Sequence, residues 1–276
     1  HPVSALSTIR GRCTEGCLYC LESVGNGLPS NRPRLHSTDW LVEQTSRLLR
    51  PGRRRITIQD PFFLFGDAPL SALVQGLRGR DNGPIDEFNL FTEPGRYTEA
   101  GYRALGDLGA GLVTMDLGVE SGAERVLGLS GRPYGQDTIM KDIESMVSSG
   151  IVPYTWWMVG MPGETEDDVY RTRDFMTQTM RAGAVPRWIT PMLLFPGAAA
   201  YVQAERFGIR PKMHTFEDML VFSTQAFSLD GVYPRLLTHD QDGLPAPRVL
   251  ELTQMLKRNV IEHWPLVGER HAASPR

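Results

Sequence analysis

The stretch Cys13-Thr14-Glu15-Gly16-Cys17-Leu18-Tyr19-Cys20 holds all three cysteines of a 276-residue chain, at spacing C-x3-C-x2-C. A disulfide framework uses an even number of cysteines spread along a sequence. Three unrelated buried thiols have no reason to crowd into one short loop. A structural zinc needs a fourth protein ligand, and the next histidine downstream, His36, has no companion at ligand spacing. An electron-carrier cluster needs a fourth cysteine, which the chain lacks. Three thiolates this close suit three irons of one [4Fe–4S] cubane, with the fourth iron left open to a chelating ligand. Such a site belongs to a reducing, cytoplasmic compartment.

Working outward, the loop follows an apolar strand, Leu6 to Arg10, and strands then alternate with helices to about residue 195. A helix is expected over 38–49, capped by Thr38 or Asp39, then a strand over 55–59 and a helix over 69–78 with Pro69 in its first turn. Phe88–Thr92 reads as a strand, Thr98 as a helix cap, and 112–118 as a strand. The pattern continues with a helix over 136–149 stopped by Gly150 and a strand over 152–159. A helix runs from Thr165 to about Arg181, with Thr165 and Asp168 in the pattern of a capping box, and 188–194 closes the series as a strand. Six strand–helix units argue for a parallel sheet and fall two short of a full eight-fold barrel. The fold class expected is α/β, a partial (β/α)6 TIM-like barrel over 1–195. Residues 196–276, with helical stretches at 215–227 and 246–264, form a helical C-terminal extension packing on it.

The bulk composition excludes several classes. The chain is 41% hydrophobic and 22% charged, ordinary for a globular protein, and its formal net charge of −3 argues against nucleic acid as a partner. The basic run Arg50 to Arg55 has no interleaved aromatics and reads as a solvated helix-to-strand connection. No stretch approaches the roughly 20 apolar residues of a membrane span. The first residue is His1 rather than Met, so the start is read as processed, tag-derived or cut from a longer protein.

A C-x3-C-x-aromatic-C motif after the first strand of an α/β repeat resembles the signature of the radical S-adenosylmethionine (SAM) superfamily. Two further stretches extend the likeness. Gly118-Val119-Glu120-Ser121-Gly122 resembles the family's G-[VI]-E-S-G element, and Gly160-Met161-Pro162-Gly163-Glu164-Thr165 its G-x-P-G-E-T block. The resemblance implies that Cys13, Cys17 and Cys20 hold the cluster. The open iron then binds SAM and cleaves it reductively to methionine and a 5′-deoxyadenosyl radical, with electrons from a donor such as flavodoxin or ferredoxin. It implies that Tyr19 packs near the adenine, that Glu120, Ser121 and Gly160 face SAM, and that Arg132 lies near the SAM carboxylate. Where many relatives carry Gly-Gly-Glu, this chain has Gln59-Asp60-Pro61-Phe62-Phe63, so Asp60 is the carboxylate available for the SAM amine. Both motif stretches are expected at C-terminal ends of strands, where parallel barrels build their active sites.

The combination of motifs, with Leu194-Phe195-Pro196-Gly197, looks most like the branch that pairs the radical SAM barrel with an N-terminal cobalamin-binding domain. Cobalamin is therefore a further cofactor implied by the resemblance, used for methylation or rearrangement of a small-molecule substrate. No Asp-x-His-x-x-Gly cobalt-ligand pattern occurs in the sequence, so that domain would lie outside this chain. Two alternatives stay open: a cobalamin-independent tailoring enzyme, and a non-catalytic Fe–S scaffold that binds SAM. The loop from Gly25 to Pro33 is expected to face the cobalamin partner. On the fifth strand, alternation puts Tyr154, Trp156 and Met158 on one face and Trp157 on the other. Glu164 and Thr165 also read as helix caps, and Tyr201, His214 and His239 as structural residues.

Overall fold

Six β-rich segments pair side by side in chain order, each parallel to the next: β1 (Val3–Leu6), β2 (Arg55–Ile58), β3 (Glu87–Thr92), β4 (Leu112–Glu120), β5 (Ile151–Val159) and β6 (Val185–Pro191). They come from a computed structural model that describes residues 3–10, 13, 15–21, 33–60, 66–220 and 237–273. Parallel neighbours need a crossover between them. Helices α1 (Thr38–Leu48), α2 (Asp67–Arg78), α3 (Glu99–Gly106), α4 (Glu124–Leu129), α5 (Gln136–Ser148) and α6 (Glu166–Ala182) lie in those crossovers. Strands β1 and β6 are the two outer strands of the sheet and do not pair with each other, so the barrel is partial.

One face of the sheet packs on the helices. Ile56, Leu90, Met115, Leu117 and Trp157 on strands and Leu41, Leu70, Tyr102, Ile143 and Phe175 on helices are almost fully buried in one apolar cluster. Burial alternates residue by residue along β5, with Trp157 against Phe175 on the helix side and Trp156 on the other, as alternation requires. The opposite, interior face carries polar groups in mid-strand, among them Asn89 bonded to Thr114 and Asp116.

Several boundaries differ from the sequence reading. The expected strand Leu6–Arg10 breaks at Ser7 and Thr8, because Asp60 accepts the Thr8 backbone N–H and the Ser7 hydroxyl. Ile9–Arg10 then leaves the sheet and pairs antiparallel with Arg34–Leu35. The cap of α1 is Ser37, whose oxygen accepts the Trp40 N–H, rather than Thr38 or Asp39. Helix α2 begins two residues before Pro69, which still sits in the first turn, where its missing N–H costs nothing. Strand β6 starts at Val185, not Trp188; it contains Pro186, which an outer strand tolerates because one of its edges is unpaired. Thr98 caps α3, Gly150 takes a positive φ of 73° after α5, and Thr165 and Asp168 form a reciprocal capping box on α6.

Beyond the sheet, α7 (Ala246–Ala273) packs on α6 and β6 through Val249, Leu252, Leu256 and Val260. It runs past Pro265, where the sequence reading stopped, giving up one backbone hydrogen bond there. Arg248 ties its start to Glu166 of α6. The Gly25–Pro33 loop (up to residue 32), Pro61–Phe63 and residues 221–227 of the expected helix lie outside the described residues. No helix among the described residues is long and apolar enough to cross a membrane.

Candidate active site

A cavity of about 500 Å³ opens where β2 to β5 end, and Cys13, Cys17 and Cys20 all line it. Backbone contacts hold the cysteine loop against its neighbours. Leu18 N–H donates to Ser130 O at 3.3 Å, and Leu18 O accepts from Ala200 at 2.8 Å. The Glu15 amide donates to Cys13 Sγ at 3.4 Å. Burial pushes the Cys13 thiol up to about 12 and raises that of Cys17, where Arg132 acts in the opposite sense. None of the three is in a disulfide. Buried thiols of this kind bind metal by exchanging their protons for it. Among the described residues no three metal-binding side chains converge on one point as a single zinc would need. Three thiols lining one cavity fit three irons of a cubane, one thiolate to each, with the fourth iron left open.

Above the loop, Arg132 is the centre of a buried polar network. Its Nε and Nη2 donate to Tyr19 Oη at 3.1 and 2.5 Å, Nη2 also to Glu120 Oε1 at 2.9 Å, and Nη1 to Glu93 Oε2 at 3.4 Å. Its guanidinium also lies over the Tyr134 ring, 5.6 Å from the centroid. Arg96 bonds the other oxygen of Glu93 and reaches Glu15 of the cysteine loop at 3.2 Å. Three carboxylates thus face two guanidiniums, a balance suited to a cationic ligand. Burial raises the Glu120 carboxyl and the Arg132 charge opposes that shift.

The backbone at Glu120 is irregular. Pairing of β4 with β5 shifts register between Gly118 and Glu120. Glu120 has φ 68°, the one positive φ of a non-glycine among the described residues. Left-handed backbone is costly for a residue with a Cβ and collects at functional sites. Glu120 faces the cavity with Gly118, two residues before it on the same side of the strand, and Ser121 faces away from it. Ser121 is fully buried against α6, sharing a 3.0 Å hydrogen bond with Thr172 and accepting the Ala123 N–H.

The sequence candidates therefore divide. Tyr19, Asp60, Glu120 and Arg132 line the cavity with the cysteines, whereas Ser121 and Gly160 do not. Asp60, though on the cavity wall, is engaged by Ser7 and by the Thr8 backbone and hydroxyl, at the entry to the cysteine loop. Gly160 has φ 87°, and a Cβ there would press on Val249 of α7 at 3.1 Å. Its N–H donates to Glu164 at 2.6 Å, so the Gly160–Thr165 block closes on itself and caps α6. Tyr201 donates to the Met213 carbonyl, the His214 amide to Asp218, and His239 is buried beside Thr238. Glu15, Glu93 and Arg96 were missed. Glu93 directly follows the last residue of β3, so a search for carboxylates at or just past the ends of apolar strands would have found it. Arg96 carries no such signal.

A sequence model of the radical SAM superfamily matches residues 8–176. Among curated proteins, the ribosomal protein uS12 methylthiotransferase RimO of Pelotomaculum thermopropionicum is 28% identical over 192 residues, covering 66% of this chain and 42% of that protein. A tRNA-2-methylthio-N(6)-dimethylallyladenosine synthase of Zymomonas mobilis is 27% identical over 188 residues, 63% of this chain and 40% of its own length. In fold, the radical SAM methyltransferase TsrM of Kitasatospora setae, solved with cobalamin and a [4Fe–4S] cluster, superposes with TM-score 0.64 at 17% identity, over 92% of this chain and 52% of that one. The cobalamin-dependent radical SAM enzyme OxsB with cobalamin and SAM bound gives 0.53 at 16% identity, over 74% and 30%. The chain thus spans about two fifths of the curated relatives it matches.

Proposed function

Because this chain belongs to the radical SAM superfamily, we propose that the cavity at the strand ends is its catalytic centre, where SAM is cleaved to modify a substrate with cobalamin in attendance. The observation that carries this reading is the convergence of three thiols, Tyr19, Glu120 and Arg132 on one cavity. Cys13, Cys17 and Cys20 would hold the [4Fe–4S] cluster, and cluster and SAM together supply one-electron chemistry when bound.

The residues of the chain have separate tasks in this reading. Glu120, buried and strained, accepts hydrogen bonds from the cationic amine end of SAM. Arg132 holds Tyr19 and Glu120 in position and keeps one of its five N–H groups for the SAM carboxylate. Tyr19 offers its ring to the adenine. Asp60 clamps the entry to the cysteine loop through Ser7 and Thr8, while Ser121 and Gly160 brace the strand ends from the helix side.

For cobalamin, support comes from the fold shared with TsrM over 92% of this chain and from the motif combination. Cobalamin would be carried by a separate domain, and an electron donor such as flavodoxin or ferredoxin would reduce the cluster. The substrate is proposed to be a small molecule. Anaerobic incubation of reconstituted protein with SAM and dithionite tests this. The reading expects 5′-deoxyadenosine release, or methyl transfer that depends on added cobalamin. A protein with an intact cluster that leaves SAM unchanged under both conditions is a scaffold, and the proposal fails.

A further inference from the structure

Below the polar network, the interior face of the sheet carries a wall of rings that no step above uses. Phe91 and Trp156 line the cavity, and their rings meet edge to face at 5.2 Å. Trp188, on the outer strand β6, meets Trp156 at 5.5 Å and is 48% exposed. The three rings form a track from the cavity to the unpaired side of the barrel. Beside Trp156 on β4 stands Gly118, where a Cβ would come within 2.9 Å of Glu120, so the ring wall adjoins the polar network directly.

The wall is rigid and electrically balanced. Asp116, almost fully buried in mid-strand, accepts the Trp156 indole N–H at 2.8 Å and the Asn89 amide at 2.8 Å, which fixes the indole plane. Arg187 pairs with both oxygens of Asp116 at 3.3 Å while its guanidinium stacks over Tyr154 at 4.7 Å. The one buried carboxylate of this wall is thus matched by one cation, and the indole N–H of Trp156 is already spent. What the wall offers a ligand is ring faces, which prefer other π-systems in offset or edge-on geometry.

We propose that Phe91, Trp156 and Trp188 form the substrate subsite and that the substrate presents a neutral, planar aromatic ring to it. This rests on the cavity being the SAM site, since the subsite borders that cavity directly. Anchored rings that need no reorganisation bind at lower entropic cost than mobile ones. A merely greasy wall would take a saturated ring at least as well as an aromatic one, because both remove similar apolar area from water.

The test uses benzamide and cyclohexanecarboxamide, neutral amides of similar size, in equilibrium dialysis against anaerobically reconstituted, SAM-loaded protein. Benzamide should bind about three- to tenfold more tightly. Trp188→Ala should erase that preference, Trp188→Phe should keep most of it, and Trp264→Ala, at an exposed site on α7, should leave it unchanged. Equal binding of the two amides, binding of neither, or a preference that survives Trp188→Ala overturns the proposal. In that case Trp188 is a packing face for another part of the protein. SAM cleavage without an aromatic preference removes this subsite and keeps the proposed function; the preference without SAM cleavage does the opposite.

Discussion

The ends of β4 and β5 carry motifs of similar appearance, Gly118-Val119-Glu120-Ser121-Gly122 and Gly160-Met161-Pro162-Gly163-Glu164-Thr165, yet they solve different physical problems. At the end of β4 the backbone is strained at Glu120, and a buried carboxylate is turned towards an open cavity. At the end of β5 the polar groups are consumed locally. Glu164 takes the N–H groups of Gly160 and Met161, and Thr165 caps α6 with Asp168. One end places a strained carboxylate on a cavity, whereas the other closes a strand-to-helix turn. Glycine and carboxylate at a strand end are therefore ambiguous signs, and the partner of the carboxylate decides between them.

The largest effect that would test this contrast lies in the cysteine loop. Cys17→Ala should lower reconstituted iron and sulfide from about four of each per chain to background and abolish SAM cleavage. Retention of the cluster and of full cleavage would refute the ligand assignment. Next comes the polar hub. Arg132→Met leaves Glu120 and Glu93 buried without their shared cation, at a cost of about 3–5 kcal/mol, visible as a fall in Tm. The equivalent change on the helix side, Arg125→Met, breaks the pair with Asp168, but the Arg125 side chain is 50% exposed. It should cost under about 1 kcal/mol. Equal losses for the two variants would erase the distinction between cavity and cap.

The β5 block makes a pH-dependent prediction. Burial pushes the Glu164 carboxyl up to about 8 from its ordinary 4.5, against the two amides that donate to it. Its Oε1 has no hydrogen-bond partner among the described residues. A carboxyl with a raised folded pKa keeps a proton that the unfolded chain has released, so stability falls as pH rises from about 4.5 towards 8. Glu164→Gln should flatten that slope, read as the wild-type-minus-variant difference in denaturant midpoint across the window. Parallel curves would mean that Glu164 is ionised in the folded protein.

The smaller effects separate neighbours. Glu120→Gln should weaken SAM binding by about 1.5–3 kcal/mol through one lost charge-assisted contact. Ser121→Ala, one residue on, should leave SAM affinity alone and cost about 1 kcal/mol of stability, for its hydrogen bond to Thr172. A Ser121 variant with impaired SAM binding and normal stability would put both residues on the cavity side.

The sequence by itself determined the cysteine spacing, the parallel α/β alternation and the capping residues Thr98 and Thr165, because these depend on neighbours a few positions apart. It also made Glu120 visible as a carboxylate ending an apolar strand. Strand alternation alone puts Glu120 on the interior face with Asp116 and Gly118, and Ser121 on the helix side with Val119. Only the tertiary structure decided which partners those polar residues meet, and no local pattern announces the register shift between Gly118 and Glu120. The Arg132 network joins residues up to 113 positions apart, and the clamp of Asp60 on Ser7 and Thr8 spans more than 50. Such pairings depend on how the crossovers bring strand ends together, and a buried charge finds its partner through that geometry.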